Sequence, residues 1–568
     1  MIVLKKEKSN KNTFDAIVIG SGISGGWAAK TLCEKGLKTL VLERGRDVKH
    51  KEDYPTAFQN PWDLPHRNHL SHKMREENPI ADRCYAFDEA TQHFFVKDAE
   101  HPYIQEKPFD WIRGYQVGGK SLIWARQVQR WSRFEFENPA RDGYSTPWPI
   151  SYEDMAPWYS EVEKFIGVSG SEEGLETLPD GEFLPAWEMN IVEREMADKI
   201  NAYYTDRKAI IGRCAHLTQP KEIHLAQGRA QCQARHLCYR GCPYGAYYSS
   251  NASTLPWAEK TGNLSLRPNS VVHSIVYDES ENRAIGVKVI DRLTKEEGYF
   301  YADIIFVNAG SVNSNLILLN STSERFPNGL GNDNGLLGKY IAFHNYRASL
   351  TATYSGHLDR YYYGRRPTSI AIPNFRNVYR QDTDFVGGYM SFYTATRLGW
   401  NKGVEGEQIG AEFKRKLTQP GEWSIYMMIQ AETVPKENNY VRLSPDQRDE
   451  WGIPLLITSV DYDENDEKIL QDFWEQGEEM LRLTGCENIT RHDSQQSPGL
   501  DIHVMGGIRM GDDPQSSLVN KWNQLHACSN VYITDGACMA TTGVQNPSIT
   551  YMALTARAAS KAAEQLIG

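Results

Sequence analysis

The chain has 568 residues, enough to bury a large core and to form two or more structural units. A balance of 40% hydrophobic and 24% charged residues describes an ordinary globular protein, and 62 basic against 73 acidic residues leave a net charge of −11, which argues against nucleic acid as a partner. No apolar run approaches the roughly 18 residues of a membrane span, and the opening MIVLKKEKSNKN has no apolar core behind its charges, so neither a transmembrane segment nor a secretory signal is expected.

The first predicted element is a buried strand over residues 16–19. It runs into GSGISGG, where Gly20, Gly22 and Gly25 hold the GxGxxG spacing and Gly26 follows. Gly20 permits a tight turn, and Gly22 lets the backbone approach a pyrophosphate. Gly25 lets the helix predicted over 27–35 pack closely on the strand, so that its N-terminus faces the phosphates. A second strand, 38–42, ends at Glu43, placed to accept ribose hydroxyls. Strand, glycine turn, helix, strand and acid in this order predict a dinucleotide site. The alternative is a plain βαβ unit with a tight turn.

Residues 46–110 are polar, weakly periodic and too long for an ordinary loop. They read either as an excursion over the nucleotide, a lid, or as a meandering surface insertion. The pair Gly118-Gly119 again suggests backbone approaching a flat or phosphorylated group. Ser121 is placed to cap a following helix or to bond a phosphate oxygen. A helix is predicted over 150–167, with Ser151 as its cap and Glu153 and Asp154 in its first turn.

The most informative local cluster is Cys232, Cys238 and Cys242, spaced C-x5-C-x3-C with Pro243 after the last. Closely spaced thiolates on a loop suit an iron–sulfur cluster, and three ligands point to a three-iron one. Structural zinc normally takes four ligands from paired C-x2-C units; His236 or Cys214 could complete such a set, so zinc stays open. With nine cysteines in all, an odd number, a disulfide scaffold is not expected.

Farther on, a strand pair over 264–290, an apolar strand over 302–310 and a helix over 313–320 return the chain to the nucleotide sheet. Alternating, aromatic-rich strands between 346 and 459 (348–354, 385–393, 423–431 and 439–443) predict an antiparallel sheet. Its share of the 30 Tyr and 14 Trp offers sugar-stacking surfaces, although aromatics more often fill cores. An amphipathic helix over 463–484 follows. The C-terminal segment sets His503 in a Gly-rich loop, ends a strand at Asp535-Gly536, and leads through Asn546-Pro547 into a last helix over 548–566.

These pieces, spread over essentially the whole chain, resemble the glucose–methanol–choline (GMC) oxidoreductases: GSGISGG at 20–26, VGGKS at 117–121, VNAGS at 307–311, then HVMGGIRMG and TDGACMATTGVQNP. The resemblance implies an α/β fold with a Rossmann-like FAD-binding domain and an antiparallel-sheet substrate domain of α+β character. The FAD domain would be discontinuous, over 1–155, 220–345 and 490–568, with an iron–sulfur insertion around 210–250; the substrate domain would comprise 156–219 and 346–489. FAD and alcohol oxidation follow from the family. His503 and Asn546 fall where it keeps its catalytic pair. An imidazole can accept the hydroxyl proton as hydride leaves carbon, and an Asn side chain can hold the same oxygen. Asp535 and Gly536 match contacts to the flavin's phosphate and ribityl region, and Val272 matches the position whose backbone meets adenine. Ala309, in VNAGS, and Pro547, beside Asn546, complete the implied cofactor contacts.

The cysteine spacing is similar to that of the catalytic subunits of bacterial dye-linked sugar dehydrogenases, which carry a three-iron (3Fe-4S) cluster. These work with a small partner subunit bearing the export signal, and often with a cytochrome. That resemblance implies periplasmic location by co-export, with the cytoplasm as the alternative. Among these enzymes the chain looks most similar to glucoside 3-dehydrogenases, which oxidise carbon 3 of a glucosyl ring. Gluconate-, fructose- or sorbitol-type dehydrogenases, pyranose oxidases and a non-catalytic electron-relay flavoprotein are the alternatives. Pyranose oxidases tie FAD covalently to a histidine just before a tryptophan; Ile123 stands there, before Trp124, so non-covalent FAD is expected.

Overall fold

Thr13–Ile19 forms a strand whose last four residues are wholly buried, as a continuous apolar run is when helices cover both faces of a sheet. It sits at the centre of an eight-stranded sheet. Thr39–Leu42 pairs with it in parallel on one side and Glu297–Val307 on the other. Leu264–Arg267 and Cys528–Ile533 extend the parallel set outward. The hairpin Ser270–Asp278 and Arg283–Asp291 pairs antiparallel with the first half of Glu297–Val307. Helix Ile23–Glu34 crosses one face and packs on the last helix, Ser548–Ile567, where Ala28, Ala29, Ala558, Ala559 and Ala562 share one buried cluster. This computed structural model describes residues 12–361, 366–399 and 409–568; segment 1–11, read above for a targeting signal, lies outside them. Among the described residues, no helix is long and apolar enough to cross a membrane.

A seven-stranded antiparallel sheet forms the second unit, built around Ala348–Tyr354, Trp423–Glu432 and Tyr389–Arg397. Residues of Ala348–Tyr354 alternate between buried and half-buried, which is the period of a strand with one covered face. Helices Ile191–Tyr203 and Glu464–Thr484 supply that cover, with Met196, Ile469 and Phe473 packed against Leu350, Ile425 and Met427. A five-stranded sheet joins the two units through Met505–Gly507, Lys339–Ala342, Tyr440–Arg448, Pro454–Ser459 and Ile104–Gln105.

The α/β class with a separate antiparallel sheet is therefore as expected, and several elements shift. The helix expected at 27–35 begins at Ile23, because the chain is already extended at Gly22 and turns helical through Gly25 and Gly26. The strand expected at 439–443 belongs to the joining sheet, since alternation identifies a strand but not the sheet it enters. No helix follows Ser121: Gly119–Leu122 is a single 3₁₀ turn, and the next helix, Arg133–Arg141, is capped by Ser132. Position 155 falls inside helix Tyr152–Ile166, whose Met155, Tyr159 and Val162 lie in the same core as Ile17 and Trp27. The excursion over 46–110 carries short helical turns and its own apolar cluster, with Tyr54, Phe87, Phe94 and Phe95 packed on Leu122 and Ile123.

Candidate active site

The glycine turn after the first strand builds the floor of the site. Gly20 has φ +97°, a left-handed conformation, and a Cβ there would lie 2.3 Å from the Asn308 carbonyl oxygen. A Cβ on Gly25 would lie 2.0 Å from the Gly20 carbonyl oxygen, so only glycine lets this helix start so close to the strand. Gly22 is different, with open space where its Cβ would be. Gly119 faces it: a Cβ on Gly119 would lie 3.4 Å from the Gly22 Cα, an ordinary contact.

From this turn a cleft of about 250 Å³ runs to His503 and Asn546. Its walls include Gly20, Gly22, Glu43, Gly119, Ser121, Val272, Ala309, Asp535, Gly536, His503, Asn546 and Pro547. Gly25, Gly26 and Gly118 lie behind this surface: Gly26 packs on Ser250 and Thr254, and Gly118 on Asn251. Residues 503 and 546, far from the N-terminal turn in sequence, thus share one cavity with it.

The acids on the walls are already partly engaged. Glu43, buried, accepts from the Ser21 hydroxyl at 2.5 Å, the Ser21 amide at 3.2 Å and the Gly45 amide at 2.9 Å. A carboxylate offers about four acceptor sites, so one remains for a ligand. Burial raises its pKa against those hydrogen bonds. Asp535 accepts from the Gly310 amide at 2.8 Å, the Ser314 hydroxyl at 2.6 Å and the Ala537 amide at 3.0 Å. It ties three segments of the wall together. The Ser121 hydroxyl donates to the Gly118 carbonyl at 2.6 Å and accepts from the Ser250 amide at 3.1 Å, so it braces the turn.

At the other end, His503 Nδ1 lies 2.9 Å from Nδ1 of His344, a residue the sequence motifs did not single out. His344 Nε2 lies 2.8 Å from the Gly543 carbonyl oxygen. One oxygen of Asp501 accepts the backbone amides of both histidines, at 3.1 and 2.9 Å. Burial lowers the pKa of His344 to about 4, lowers that of His503 well below the ordinary histidine value, and raises that of Asp501 to about 6. Lys120, in the turn Gly119–Leu122, faces Asp501 and Asp535, and burial lowers its pKa. The Oδ1 of Asn546 is buried without a hydrogen-bond partner. Among the described residues, His344, Asp501 and His503 are also the one trio of metal-ligating side chains whose ligand atoms all lie within 4.8 Å of one another. Two imidazole nitrogens 2.9 Å apart are in hydrogen-bond contact, which uses one lone pair and one proton, whereas a shared metal would need both lone pairs.

The three loop cysteines are half-buried, and all nine cysteines of the chain are free thiols. Burial raises Cys232 to about 11, and Cys238 and Cys242 beside it add to the rise. His216, buried and unremarked in the sequence, brings Nε2 to 3.7 Å from Cys238 Sγ. Ligand atoms around one tetrahedral zinc sit about 3.8 Å apart, given a Zn–S bond of about 2.3 Å. The three cysteine sulfurs do not form such a trio within 4.8 Å. At least one pair of them is therefore farther apart than the ligands of one zinc. Between them and the cleft stands Arg126, buried, with φ +64° and its guanidinium over Tyr239 at 4.5 Å and Tyr247 at 5.3 Å. Its Nε has no partner. Burial would lower its pKa, but Tyr239 and Cys238 hold it above the ordinary value. The excursion over 46–110 covers this loop, with Arg240 donating to the Gln59 carbonyl at 2.9 Å and Tyr85 edge-on to Tyr239.

The dinucleotide turn, His503 and Asn546 thus line one cleft, and comparison with known proteins gives the family. The family model for GMC oxidoreductases matches residues 14–344 and 435–555. The chain belongs to the GMC oxidoreductase family. It is thus an FAD-dependent oxidoreductase acting on CH–OH groups, and the glycine turn, the free acceptor site of Glu43 and the unpaired Asn546 oxygen fit that cofactor. Similar proteins include the fructose dehydrogenase large subunit of Gluconobacter japonicus, 26% identical over 96% of this chain and 97% of that protein. The 2-methyl-1,2-propanediol dehydrogenase of Mycolicibacterium austroafricanum is 27% identical, covering 96% and 94%. Paromamine 6'-oxidase of Streptomyces fradiae is 26% identical, covering 99% and 93%. Among solved structures, pyridoxine 4-oxidase from Mesorbium loti superposes with a TM-score of 0.59 at 15% identity, covering 96% of this chain and 98% of that one. That likeness is one of fold.

Proposed function

We propose that this GMC oxidoreductase oxidises a ring hydroxyl of a sugar, carbon 3 of a glucoside, to the 3-keto sugar and passes the electrons to an acceptor other than NAD or oxygen. The observation that carries the reading is the continuous cleft from Glu43 to His503 and Asn546. FAD, when bound there, supplies a hydride acceptor at N5. Gly22 and Gly119 leave room for the pyrophosphate against backbone, and Glu43 keeps an acceptor for a ribose hydroxyl. His503 is neutral at physiological pH because burial opposes its charge, so it can take the hydroxyl proton of the sugar. The Nδ2–H of Asn546, on the same cleft wall, can donate to the oxygen of that hydroxyl and hold it in place.

The sugar class is supported by the fructose dehydrogenase large subunit and paromamine 6'-oxidase among the similar proteins, and carbon 3 by the resemblance carried in the cysteine loop. Cys232, Cys238 and Cys242 would hold an iron–sulfur cluster, which supplies one-electron transfer. The buried guanidinium of Arg126, beside Cys238, suits an anionic cluster there. A small partner subunit and a cytochrome would complete the route, in the periplasm; the name "large subunit" of the fructose dehydrogenase is in keeping with such an assembly.

Anaerobic addition of methyl glucoside to the FAD-loaded protein tests this directly. Flavin bleaching with a 3-keto glycoside as product is expected, with about three irons per chain. Bleaching by fructose, gluconate or a simple diol but not by glucosides would replace the substrate; bleaching without iron would remove the cluster. H503A should slow bleaching by roughly 10²–10⁴, and an unchanged rate would refute the base.

A further inference from the structure

We infer that His344 is a positioning residue that locks His503 in the tautomer with its proton on Nδ1, leaving the Nε2 lone pair as the base in the cleft. The inference rests on the reading of His503 as base and adds the residue that sets which nitrogen acts. Gly543, His344 and His503 form one hydrogen-bonded line. The Gly543 carbonyl oxygen can only accept, so His344 Nε2, 2.8 Å away, carries a proton. His344 is completely buried, and burial keeps its ring neutral, so its Nδ1 holds a lone pair. His503 Nδ1 lies 2.9 Å from that lone pair and must therefore donate. The neutral His503 ring then has only Nε2 left as an acceptor, and among the described residues no protein group hydrogen-bonds to it.

The backbone holds the pair in register. Asp501 Oδ2 accepts the amides of both histidines. His344 also lies opposite Glu432 across the pairing of His344–Asn345 with Trp423–Glu432. As the sugar O–H bond breaks, its proton goes to His503 Nε2; bound FAD would accept the hydride from carbon, so that the sugar is oxidised and the flavin reduced. The Nδ1–H to Nδ1 bond then becomes charge-assisted, and such bonds are stronger than neutral ones. His344 passes no proton onward, because its other N–H is held by a carbonyl oxygen. The charged and titratable groups facing His503 are Lys120, Asp501 and His344 itself, with the Tyr346 ring 6.0 Å away.

H344F removes the acceptor at similar size, and H344N restores it, because an asparagine Oδ1 can occupy the place of histidine Nδ1. Anaerobic stopped-flow reduction of the FAD-loaded protein, read across pH 5.5 to 8.5, tests both. The reference for losing an imidazole's orienting partner is about 10⁴ in turnover when that partner is a carboxylate. For a neutral acceptor, H344F should lose roughly 10²-fold in limiting rate with little change in the sugar concentration at half-saturation. H344N should recover to within about tenfold of wild type, with the wild-type pH profile. H344F with wild-type rate and profile, alongside a slow H503A, would overturn the role of His344 alone; an H503A at wild-type rate would overturn the base and this inference with it. Should H344F fail to retain FAD, ¹⁵N-histidine NMR of the wild type decides: a proton on His503 Nδ1 supports the inference and a proton on Nε2 overturns it.

Discussion

Glu432 closes the strand that backs the two histidines, and its carboxyl group is buried. Oε1 has no partner, and Oε2 accepts from the Tyr144 hydroxyl at 3.1 Å. Burial drives its pKa from 4.5 to about 8, with Glu135 adding to the rise and the Tyr144 hydroxyl and Gly543 amide opposing it. The group is thus protonated in the folded protein at neutral pH and ionised once unfolding exposes it. Its stabilising contribution is complete below about pH 4.5 and is lost as pH rises through 8. Within that window one proton leaves on unfolding, about 1.4 kcal/mol per pH unit, so about 2.7 kcal/mol between pH 5 and 7. Unfolding entropy of roughly 2.1 cal/mol/K per residue over 568 residues turns this into about 2 °C. The shift is larger if a smaller unit unfolds first. Glu432→Gln keeps the shape and removes the titration. Thermal unfolding of FAD-loaded wild type and E432Q at pH 5 and pH 7, at one scan rate, should show E432Q gaining about 2 °C on wild type between the two. Asp501 and Asp466, also raised by burial, titrate in both proteins and cancel. An equal difference at both pH values would mean the carboxyl group is charged in the fold and would refute the argument.

Gly25→Ala and Gly22→Ala separate packing from ligand approach. G25A forces a methyl group against the Gly20 carbonyl and should lower the melting temperature even without FAD, at about 1–3 kcal/mol for overpacking. G22A meets open space, so the apoprotein should melt as wild type while FAD affinity, followed by flavin fluorescence, falls tenfold or more. Cys238→Ser should lose iron by elemental analysis while anaerobic flavin bleaching by the sugar persists; unchanged iron would remove Cys238 from the ligand set.

The nucleotide half was legible because each of its signals is local. A buried strand, a glycine turn and an acid at the next strand end lie within 30 residues, and close backbone contact leaves its mark as glycine. His503 and Asn546 were singled out through the order of motifs along the chain, since nothing within either segment distinguishes a base from a structural histidine. His344, His216, Arg126 and Glu432 were not found. Each stands in an ordinary strand or loop, and each owes its character to a neighbour more than 20 residues away: His503, Cys238, Cys238 with Tyr239, and Glu135. The sequence by itself determined the family, the cofactor turn and the fold class, because periodicity and glycine spacing are properties of short stretches. Which nitrogen of His503 can act, which acids are buried, and which strands share a sheet were decided only by the tertiary structure. Tautomer, desolvation and pairing all depend on groups that folding alone brings within 3 to 4 Å.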